Sequence, residues 1–277
     1  MIVWVTGASS GLGLHTAEAL RAAGHRVIAG ARSFATERVE NGNAYLPLDV
    51  TDPASAEAFA TRARALAGSP EALVQCAGVL VLGSCEHTPL EEYRRVMETN
   101  FLGMVRMNQL VLPLMRERGG GRIVMFSSIN GLLGVPFQSA YTAAKHAVEG
   151  YAECLQMEAQ AFGVQVCLVE PGDHRSGSSR YRAKVEGMAG TPYADAYRQT
   201  IAVIHHDETH GSDPAALGRK VAKALSRRHM PTRLRIASPD QHLAVWLHDL
   251  LPGGLNGAIL RDYYFNEKKA RAYAGEG

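Results

Sequence analysis

The sequence predicts an α/β fold in which helices cover both faces of a doubly wound parallel sheet. Two observations lead to this prediction. Short apolar runs rich in β-branched residues alternate with helical patterns along the chain, which is typical of parallel sheets. A glycine-rich turn also separates the first predicted strand from the first predicted helix. In sheets of this kind, ligands bind where the parallel strands end.

The predicted strands are apolar runs bounded by turn residues. The first strand ends at a Gly/Ser cluster after Thr6, and the sixth is stopped by Pro171-Gly172. In chain order, we predict strands at Ile2–Thr6, Arg26–Ala29, Ala44–Leu48, Ala72–Cys76, Arg122–Ser127, Val164–Glu170 and Leu234–Ala237.

The predicted helices carry apolar residues at helical spacing between these strands. The first helix follows the glycine turn and ends before Gly24, and another ends at Gly163. The remaining predicted helices are Pro53–Leu66, Leu90–Met115 with an interruption near Asn100, Ser139–Phe162, Ala215–Arg227 and Gln241–Leu251.

Residues 173–212 break this pattern, because glycines, tyrosines and charges follow one another there with little periodicity. We predict that they form a substrate cap inserted after the sixth strand. No stretch is rich enough in Gly, Ser or Pro to separate domains, so we predict a single domain over residues 1–277.

Composition narrows the possible partners. The net charge is +2 and no run of five like charges occurs, so we expect no nucleic-acid partner. Apolar stretches such as Leu110–Met115 are far shorter than the roughly 18 residues of a membrane span.

The chain starts directly with a predicted strand, and its four cysteines lack C-x-x-C spacing. We therefore expect reduced thiols and a cytoplasmic location.

The glycine turn spans residues 6–13 and has the spacing G-x-x-x-G-x-G, with glycines at positions 7, 11 and 13. A turn of this kind between a strand and a helix lets backbone N–H groups and the helix N-terminus hold a pyrophosphate. Arg32 follows the second strand, where NAD sites usually carry an acidic residue and NADP sites an arginine. This residue favours NADP(H), although an arginine there could also be an ordinary surface residue.

Tyr141 and Lys145 are four residues apart in a predicted helix and therefore share one helix face. An ammonium beside a phenol favours the phenolate, which a tyrosine needs in order to exchange a proton near neutral pH. Ser128 ends the preceding strand, where its hydroxyl could bond a substrate carbonyl. Taken alone, Asn100 favours a structural role, and Ser127-Ser128 could simply be a strand-end pair that bonds local backbone groups.

Together these residues resemble the short-chain dehydrogenase/reductases, in their compact single-domain branch. The motifs that carry the resemblance occur in order between residues 2 and 176: the glycine turn, Asp49-Val50, Ala77-Gly78, Asn100, Ser128, Tyr141-x-x-x-Lys145 and Pro171-Gly172. The resemblance implies a Rossmann fold and hydride transfer between a nicotinamide cofactor and a carbonyl or alcohol.

The resemblance also implies roles for single residues. Tyr141 would be the general acid and base, Lys145 would lower its pKa and bond the nicotinamide ribose, Ser128 would orient the substrate oxygen, and Asn100 would hold a relay water. The implied NADP(H)-binding residues are Gly7, Ser9, Ser10, Gly11, Leu12, Gly13, Arg32, Asp49, Val50, Cys76, Ala77, Gly78, Tyr141, Lys145, Pro171, Gly172 and Ser176.

Two departures from the family pattern stand out. The chain has Gln75-Cys76-Ala77-Gly78 where the family commonly reads Asn-Asn-Ala-Gly, so the side-chain support of those asparagines is missing or replaced. After Pro171-Gly172 the family often continues with an aliphatic residue and a threonine, whereas Asp173, His174 and Arg175 follow here. The adjoining wall should therefore be more polar than usual.

The cap length resembles the branch that acts on steroids, retinoids and similar alcohols, which implies a bulky lipophilic, steroid-like substrate. Tyrosines and apolar residues of the cap would line its pocket: Tyr181, Met188, Tyr193, Tyr197, Ile201 and Ile204. A reductase of smaller ketones or acyl-chain carbonyls remains an alternative. A non-catalytic cofactor-binding regulator is a distant one, because it would not need Asn100, Ser128, Tyr141 and Lys145 together. The family's pairing through its long helices implies a homodimer or homotetramer.

Two weaker features have open interpretations. His205, His206 and His210 are clustered, but no cysteine or second spaced cluster accompanies them, so we predict no metal site and favour a solvated or pocket-rim position. The apolar stretch Val245–Leu251 either closes over a lipophilic substrate or packs in the core, and we favour the core.

Overall fold

A computed structural model describes residues 1–177 and 182–274. Its centre is an eight-stranded sheet with the order β10-β8-β7-β5-β1-β2-β4-β3. All pairings are parallel except that of β3 with β4, so the predicted doubly wound α/β fold is confirmed. The strands of this sheet are β1 (Ile2–Thr6), β2 (Arg26–Ala31), β3 (Arg38–Glu40), β4 (Asn43–Pro47), β5 (Ala72–Gln75), β7 (Gly121–Phe126), β8 (Val164–Pro171) and β10 (Arg233–Ile236). Two short strands, β6 (Val81–Leu82) and β9 (Ala183–Lys184), pair separately.

Helices cover both faces of the large sheet. One apolar core lies between the sheet and α2, α4 and α5, with Trp4, Phe59 and Met107 fully buried in it. The other lies between the sheet, α1 and α7, around Leu20 and Leu217. The helices are α1 (Gly11–Ala22), α2 (Pro53–Ala67), α3 (Leu90–Met97), α4 (Gly103–Glu117), α5 (Ser139–Gln160), α6 (Ala194–Thr209), α7 (Pro214–Leu225), α8 (Pro239–Leu250), α9 (Gly253–Tyr264) and α10 (Glu267–Ala274).

The interruption predicted near Asn100 is confirmed. A π-helical turn, Glu98–Leu102, joins α3 to α4 and places the Asn100 side chain in the interior. Such turns are rare and are found frequently at functional sites.

The predicted cap is more regular than its sequence indicates, because α6 occupies much of it. Of the α6 residues, Thr200, Val203 and Ile204 are buried, so the helix carries too narrow an apolar stripe to produce a clear periodicity. The segments α9 and α10 were also not predicted as helices, and both bury few side chains. Tyr181 of the predicted cap lies outside the described residues.

The apolar stretch of α8 does not form a continuous buried face. Val245 is buried, but Trp246 and Leu250 are 58% and 59% exposed, and neither lines the cavity described below. The expected core packing therefore holds for Val245 alone of these three residues. Among the described residues, no helix is both long and apolar enough to cross a membrane.

Candidate active site

A cavity of about 750 Å³ opens at the carboxyl ends of the parallel strands. It runs from the glycine turn after β1, past the ends of β2, β5 and β7, to α5 and the segment that follows β8. All seventeen predicted cofactor residues line this cavity, and so do Ser128, Tyr141 and Lys145. Asn100 does not line the cavity, but its Oδ1 would lie 3.4 Å from a Cβ added at Gly78, which does.

The glycine turn has the form that a dinucleotide site requires. A Cβ added at Gly7 would lie 2.6 Å from the Ala77 Cα, and one added at Gly13 would lie 2.2 Å from the Gly7 carbonyl oxygen. Gly7 and Gly11 also have positive φ angles of 68° and 54°, which favour glycine. The helix α1 begins here without a side-chain cap from Ser10. Its first N–H groups are therefore available to an anionic ligand, and the turn fits a pyrophosphate.

The end of the cavity away from Tyr141 lies beyond β2 and β4. Arg32 is exposed immediately after β2, at the rim of the cavity. The Asp49 carboxylate accepts hydrogen bonds from the backbone N and the hydroxyl of Thr51, at 2.9 and 2.8 Å. These bonds hold the loop at the wall of the cavity in place.

Tyr141 and Lys145 lie on the same face of α5, with the Lys145 Nζ 5.5 Å from the centre of the Tyr141 ring. The Nζ donates a 2.6 Å hydrogen bond to the carbonyl oxygen of Phe126, the last residue of β7. Burial lowers the pKa of Lys145 to about 8, while the charges of Cys76 and Glu149 act in the opposite direction. Lys145 therefore carries a positive charge at pH values below about 8.

Burial raises the pKa of the Tyr141 phenol to about 12, although Ser128 and the charge of Arg182 partly oppose the shift. The lowering of this pKa that the family resemblance implies is therefore not produced by the protein alone. The Ser128 hydroxyl reaches the Asn130 Oδ1 and the Pro171 carbonyl oxygen only at 3.4 and 3.5 Å. Such long hydrogen bonds are weak, so a substrate oxygen can replace them.

Asn100 has a structural task in this protein. Its Oδ1 accepts from the Val79 N–H at 2.7 Å, and its Nδ2 donates to the Val79 carbonyl oxygen at 2.8 Å. Both ends of the side-chain amide thus fix the loop after β5.

The missing asparagines after β5 are replaced by a different buried contact. The Gln75 Nε2 donates to the Asn108 Oδ1 at 2.8 Å, which ties β5 to α4. Cys76, the next residue, is held at the cavity wall, and burial raises the pKa of its thiol well above the usual range. Beyond β8, Ser176 lies against the glycine turn, since a Cβ at Gly11 would be 3.7 Å from its carbonyl oxygen.

The end of the cavity near Tyr141 contains residues that sequence reasoning missed. The segment after β7 contributes Asn130, Val135 and Gln138. Arg182 before β9, three residues of α6 and the last residue of α9 also contribute: Arg182, Ile204, Asp207, Glu208 and Tyr264. Of this group only Ile204 was expected, whereas Met188, Tyr193, Tyr197 and Ile201 do not line the cavity. One residue indicated from the sequence that this end of the cavity is polar, which was Asp173 directly after Pro171-Gly172.

The clustered histidines lie on or just after α6. His206 stacks on Tyr273 and lies beside His210. Within residues 1–177 and 182–274, no group of three or more His, Cys, Asp or Glu side chains could hold a metal ion.

Comparison with known proteins identifies the family. The family model described as short chain dehydrogenase matches residues 1–186. The chain belongs to the short-chain dehydrogenase family. It is 35% identical to a 3-ketodihydrosphingosine reductase of Bacteroides thetaiotaomicron, over 95% of this chain and 97% of that protein. It is 32% identical to dehydrogenase/reductase SDR family member 7B of Danio rerio, over 91% of this chain and 82% of that protein.

A solved structure agrees with this assignment. A short-chain dehydrogenase from Streptomyces avermitilis superposes with a TM-score of 0.76 at 32% identity, covering 98% of each chain. As a short-chain dehydrogenase, the protein binds a nicotinamide dinucleotide and acts on a hydroxyl or carbonyl group. The form of the glycine turn and the length of the cavity fit this cofactor.

Proposed function

We propose that this short-chain dehydrogenase uses NADP(H) to interconvert a ketone and a secondary alcohol on a bulky lipophilic substrate. The main support is that Tyr141, Lys145 and Ser128 meet in one cavity that also contains the glycine turn. A protein that only bound the cofactor would not need these three side chains together. We therefore propose that the protein is an enzyme.

In the reductive direction, the Tyr141 hydroxyl donates its proton to the carbonyl oxygen, while the Ser128 hydroxyl holds that oxygen by a hydrogen bond. The nicotinamide, when bound, supplies the hydride and its oxidised form carries positive charge. Lys145 adds a fixed positive charge behind Tyr141, which stabilises the phenolate left after proton transfer. In the oxidative direction the same phenolate takes the proton from the alcohol.

Arg32 supports NADP(H) over NAD(H). It is exposed at the cavity rim after β2, where a guanidinium can pair with the 2′-phosphate of the adenosine ribose. An NAD site usually places a carboxylate at this position to bind the ribose hydroxyl, and this chain has none in Ala31-Arg32-Ser33.

For the substrate, we favour a long-chain ketone with a polar end over a steroid-like one. The similarity to a 3-ketodihydrosphingosine reductase supports a long chain. The cavity near Tyr141 also combines apolar walls, such as Val135 and Ile204, with the charged side chains of Arg182 and Glu208. A steroid ketone would bring no polar group to the Glu208 Oε2, which is buried without a hydrogen-bond partner in the part of the chain that the structure describes.

The test is NADPH consumption by the purified protein with long-chain ketones, a ketosteroid and small ketones. We expect the long-chain ketones to be reduced fastest. Replacing Tyr141→Phe removes the proton donor and should lower turnover by roughly 10²–10⁴-fold, with NADPH affinity nearly unchanged. Wild-type-like turnover by this variant would overturn the assignment of Tyr141, and preference for the ketosteroid would overturn the substrate class.

We further propose a homodimer or homotetramer in the cytoplasm. Exposed apolar side chains lie on the long helix α5 and just after its end, where Met157 is 71% exposed and Phe162 is 49% exposed. The four cysteines are free thiols, which is typical of a reducing compartment.

We also propose that residues 173–212 form a substrate cap. Asp207 and Glu208 of this segment line the cavity, which supports the proposal.

A further inference from the structure

A buried carboxyl group lies one helical turn beyond Lys145. Tyr141, Lys145 and Glu149 follow one another at intervals of four residues on α5, so their side chains lie on one face of the helix. Glu149 is only 7% exposed, and unlike the other two it does not line the cavity. The proposed function gives this buried acid no role.

Glu149 also approaches the end of β7. A Cβ added at Gly131 would lie 2.5 Å from the Ser127 Oγ, 3.0 Å from the Glu149 Cγ and 3.1 Å from the Lys145 carbonyl oxygen. All three groups therefore border one small space, which only a glycine at position 131 leaves open. Ser127 lines the cavity as well, so it connects this space to the site.

Two polar atoms that border this space lack a hydrogen bond. The Ser127 Oγ and the Glu149 Oε1 are both buried, and neither has a hydrogen-bond partner among residues 1–177 and 182–274. Buried polar atoms without partners destabilise a folded protein, whereas a hydroxyl that donates to a carboxylate forms a strong hydrogen bond. A hydrogen bond from the Ser127 hydroxyl to the Glu149 carboxylate would satisfy both atoms.

The other carboxylate oxygen ties Glu149 to the edge of the sheet. The Glu149 Oε2 accepts from Arg233 of β10, which also pairs with Glu170 of β8 and with Glu153 of α5. Arg235 pairs with Glu170 too. Three carboxylates thus share two guanidinium groups, so the cluster has one negative charge in excess. Burial raises the pKa of Glu149, but Arg233 and the nearby serine stabilise its ionised form.

The other titratable groups around Lys145 do not supply a negative charge. Burial raises the pKa values of Tyr141 and Cys76, so both are neutral near pH 7. Arg95 of α3 lines the same cavity, but its guanidinium pairs with a glutamate of its own helix at 2.6 Å. Of these neighbours, Glu149 alone is an anion near neutral pH, and its charge acts on Lys145.

From this arrangement we infer that Glu149 is a positioning residue for the reaction, which holds the Ser127 hydroxyl and keeps Lys145 positively charged. The inference rests on the proposed reduction at Tyr141, because the charge of Lys145 stabilises the phenolate that this step leaves. A carboxylate one turn away favours the ammonium form of a lysine over its neutral amine.

The contact with Ser127 would act on both of its neighbours in the chain. Phe126 precedes it, and the Phe126 carbonyl oxygen accepts the 2.6 Å hydrogen bond from the Lys145 Nζ. Ser128 follows it, and the Ser128 hydroxyl would hold the substrate oxygen. Fixing the Ser127 side chain therefore fixes the acceptor of Lys145 and the donor to the substrate.

The test is the pH dependence of kcat/KM for ketone reduction by the wild-type protein and by Glu149→Gln, which keeps the size of the side chain and removes its charge. The carboxylate raises the pKa of Lys145, so without it Lys145 should lose its proton at a lower pH. We expect the ratio of kcat/KM at pH 8 to kcat/KM at pH 6.5 to be roughly threefold or more lower in the variant. A general loss of turnover cancels in this ratio.

Glu153→Gln is the matched control, because Glu153 pairs with the same Arg233 but is 59% exposed and lies a further turn from Lys145. It should keep the wild-type ratio, and so should Glu149→Asp, which retains the charge. An unchanged ratio in Glu149→Gln, or an equal change in Glu153→Gln, would overturn the inference.

Ser127→Ala tests the same contact without altering a charged residue. It removes a donor that stabilises the Glu149 carboxylate, so it should lower the ratio of kcat/KM at the two pH values, by less than Glu149→Gln does. This variant also covers the case in which Glu149→Gln does not fold. A wild-type ratio in folded Ser127→Ala would refute the role of Glu149 in holding Ser127.

Cofactor binding separates this inference from the proposed function, because it requires no ketone. NADPH is an anion, so its Kd should rise as Lys145 loses its charge, and the rise should occur at a lower pH in Glu149→Gln than in the wild-type protein. The fluorescence of bound NADPH measures Kd across this pH range. If no ketone is reduced but the two curves differ in this way, the proposed function fails and the role of Glu149 stands. Coincident curves would overturn that role, whichever ketones are reduced.

Discussion

At the residue scale, the proposed preference for NADP(H) depends on one exposed side chain, Arg32. Replacing Arg32→Asp removes the guanidinium and places a carboxylate where the 2′-phosphate of NADP(H) would lie. Because a hydrogen bond to a charged group contributes about 1.5–3 kcal/mol, we expect the preference for NADPH over NADH to fall by roughly 10–100-fold. The measurement is kcat/KM for each cofactor with one ketone, and an unchanged ratio would exclude Arg32 from the phosphate site.

Asp173 makes stability depend on pH. Its pKa of about 7 in the folded protein exceeds the ordinary value of 3.8, so the native state binds this proton more tightly than the unfolded chain does. Stability contributed by this group is therefore present below about pH 4, is lost as the pH rises toward 7, and stays lost above it.

The variant Asp173→Asn cannot ionise and should not lose this stability. We expect its Tm to match wild type near pH 4 and to exceed it at pH 8 by roughly 2–4 °C, the shift that about 1 kcal/mol produces in a chain of this size. Thermal unfolding at the two pH values tests this, with Asp195→Asn as the control. A constant Tm difference at both pH values would contradict the assigned cause.

At the scale of elements, Glu170 joins the edge strand β10 to β8. It is fully buried, and its two carboxylate oxygens accept from Arg233 at 2.6 Å and from Arg235 at 2.7 Å. Glu170→Gln keeps the shape but leaves both guanidinium groups with one fewer anionic partner. Breaking a buried pair costs about 3–5 kcal/mol, and the partial exposure of the arginines should reduce this to about 2 kcal/mol.

Urea unfolding measures the effect of Glu170→Gln, and Glu153→Gln provides the comparison. Glu153 pairs with the same Arg233 but is 59% exposed, so its loss should cost less than about 1 kcal/mol. Similar losses of unfolding free energy for both variants would show that the burial of Glu170 does not make its ion pairs more stabilising than the exposed pair of Glu153.

The elements that sequence reasoning predicted are those whose burial leaves a strong periodic pattern. The parallel strands are nearly continuous apolar runs, and the position of Tyr141 and Lys145 on one face of α5 follows from their helical spacing. The α6 helix was missed because its buried residues are few and one of them, Thr200, is polar. The meeting of Arg182 and Glu208 with Asp173 at one cavity could not be predicted, since these residues are far apart in the sequence and belong to different segments.

At the scale of the whole molecule, the proposed assembly can be tested at Met157. This residue is 71% exposed on α5, one of the long helices through which the proposed subunits would pair. A charge there would be buried in the interface, so Met157→Glu should shift the protein toward a smaller species. Light scattering after size exclusion measures this shift, and Leu243→Glu on α8 is the control at a similarly exposed apolar position.

Because the start of α1 has no side-chain cap, a bound cofactor would stabilise the folded protein. A ligand that binds only the native state stabilises it by about 2.7 kcal/mol when its concentration is 100 times its Kd. The phosphates would complete the first turn of a helix whose own sequence leaves that turn unfinished. The lifetime of this protein in a cell should then depend on the concentration of the dinucleotide. A fall in that concentration would lower the amount of folded enzyme as well as the amount of its reductant.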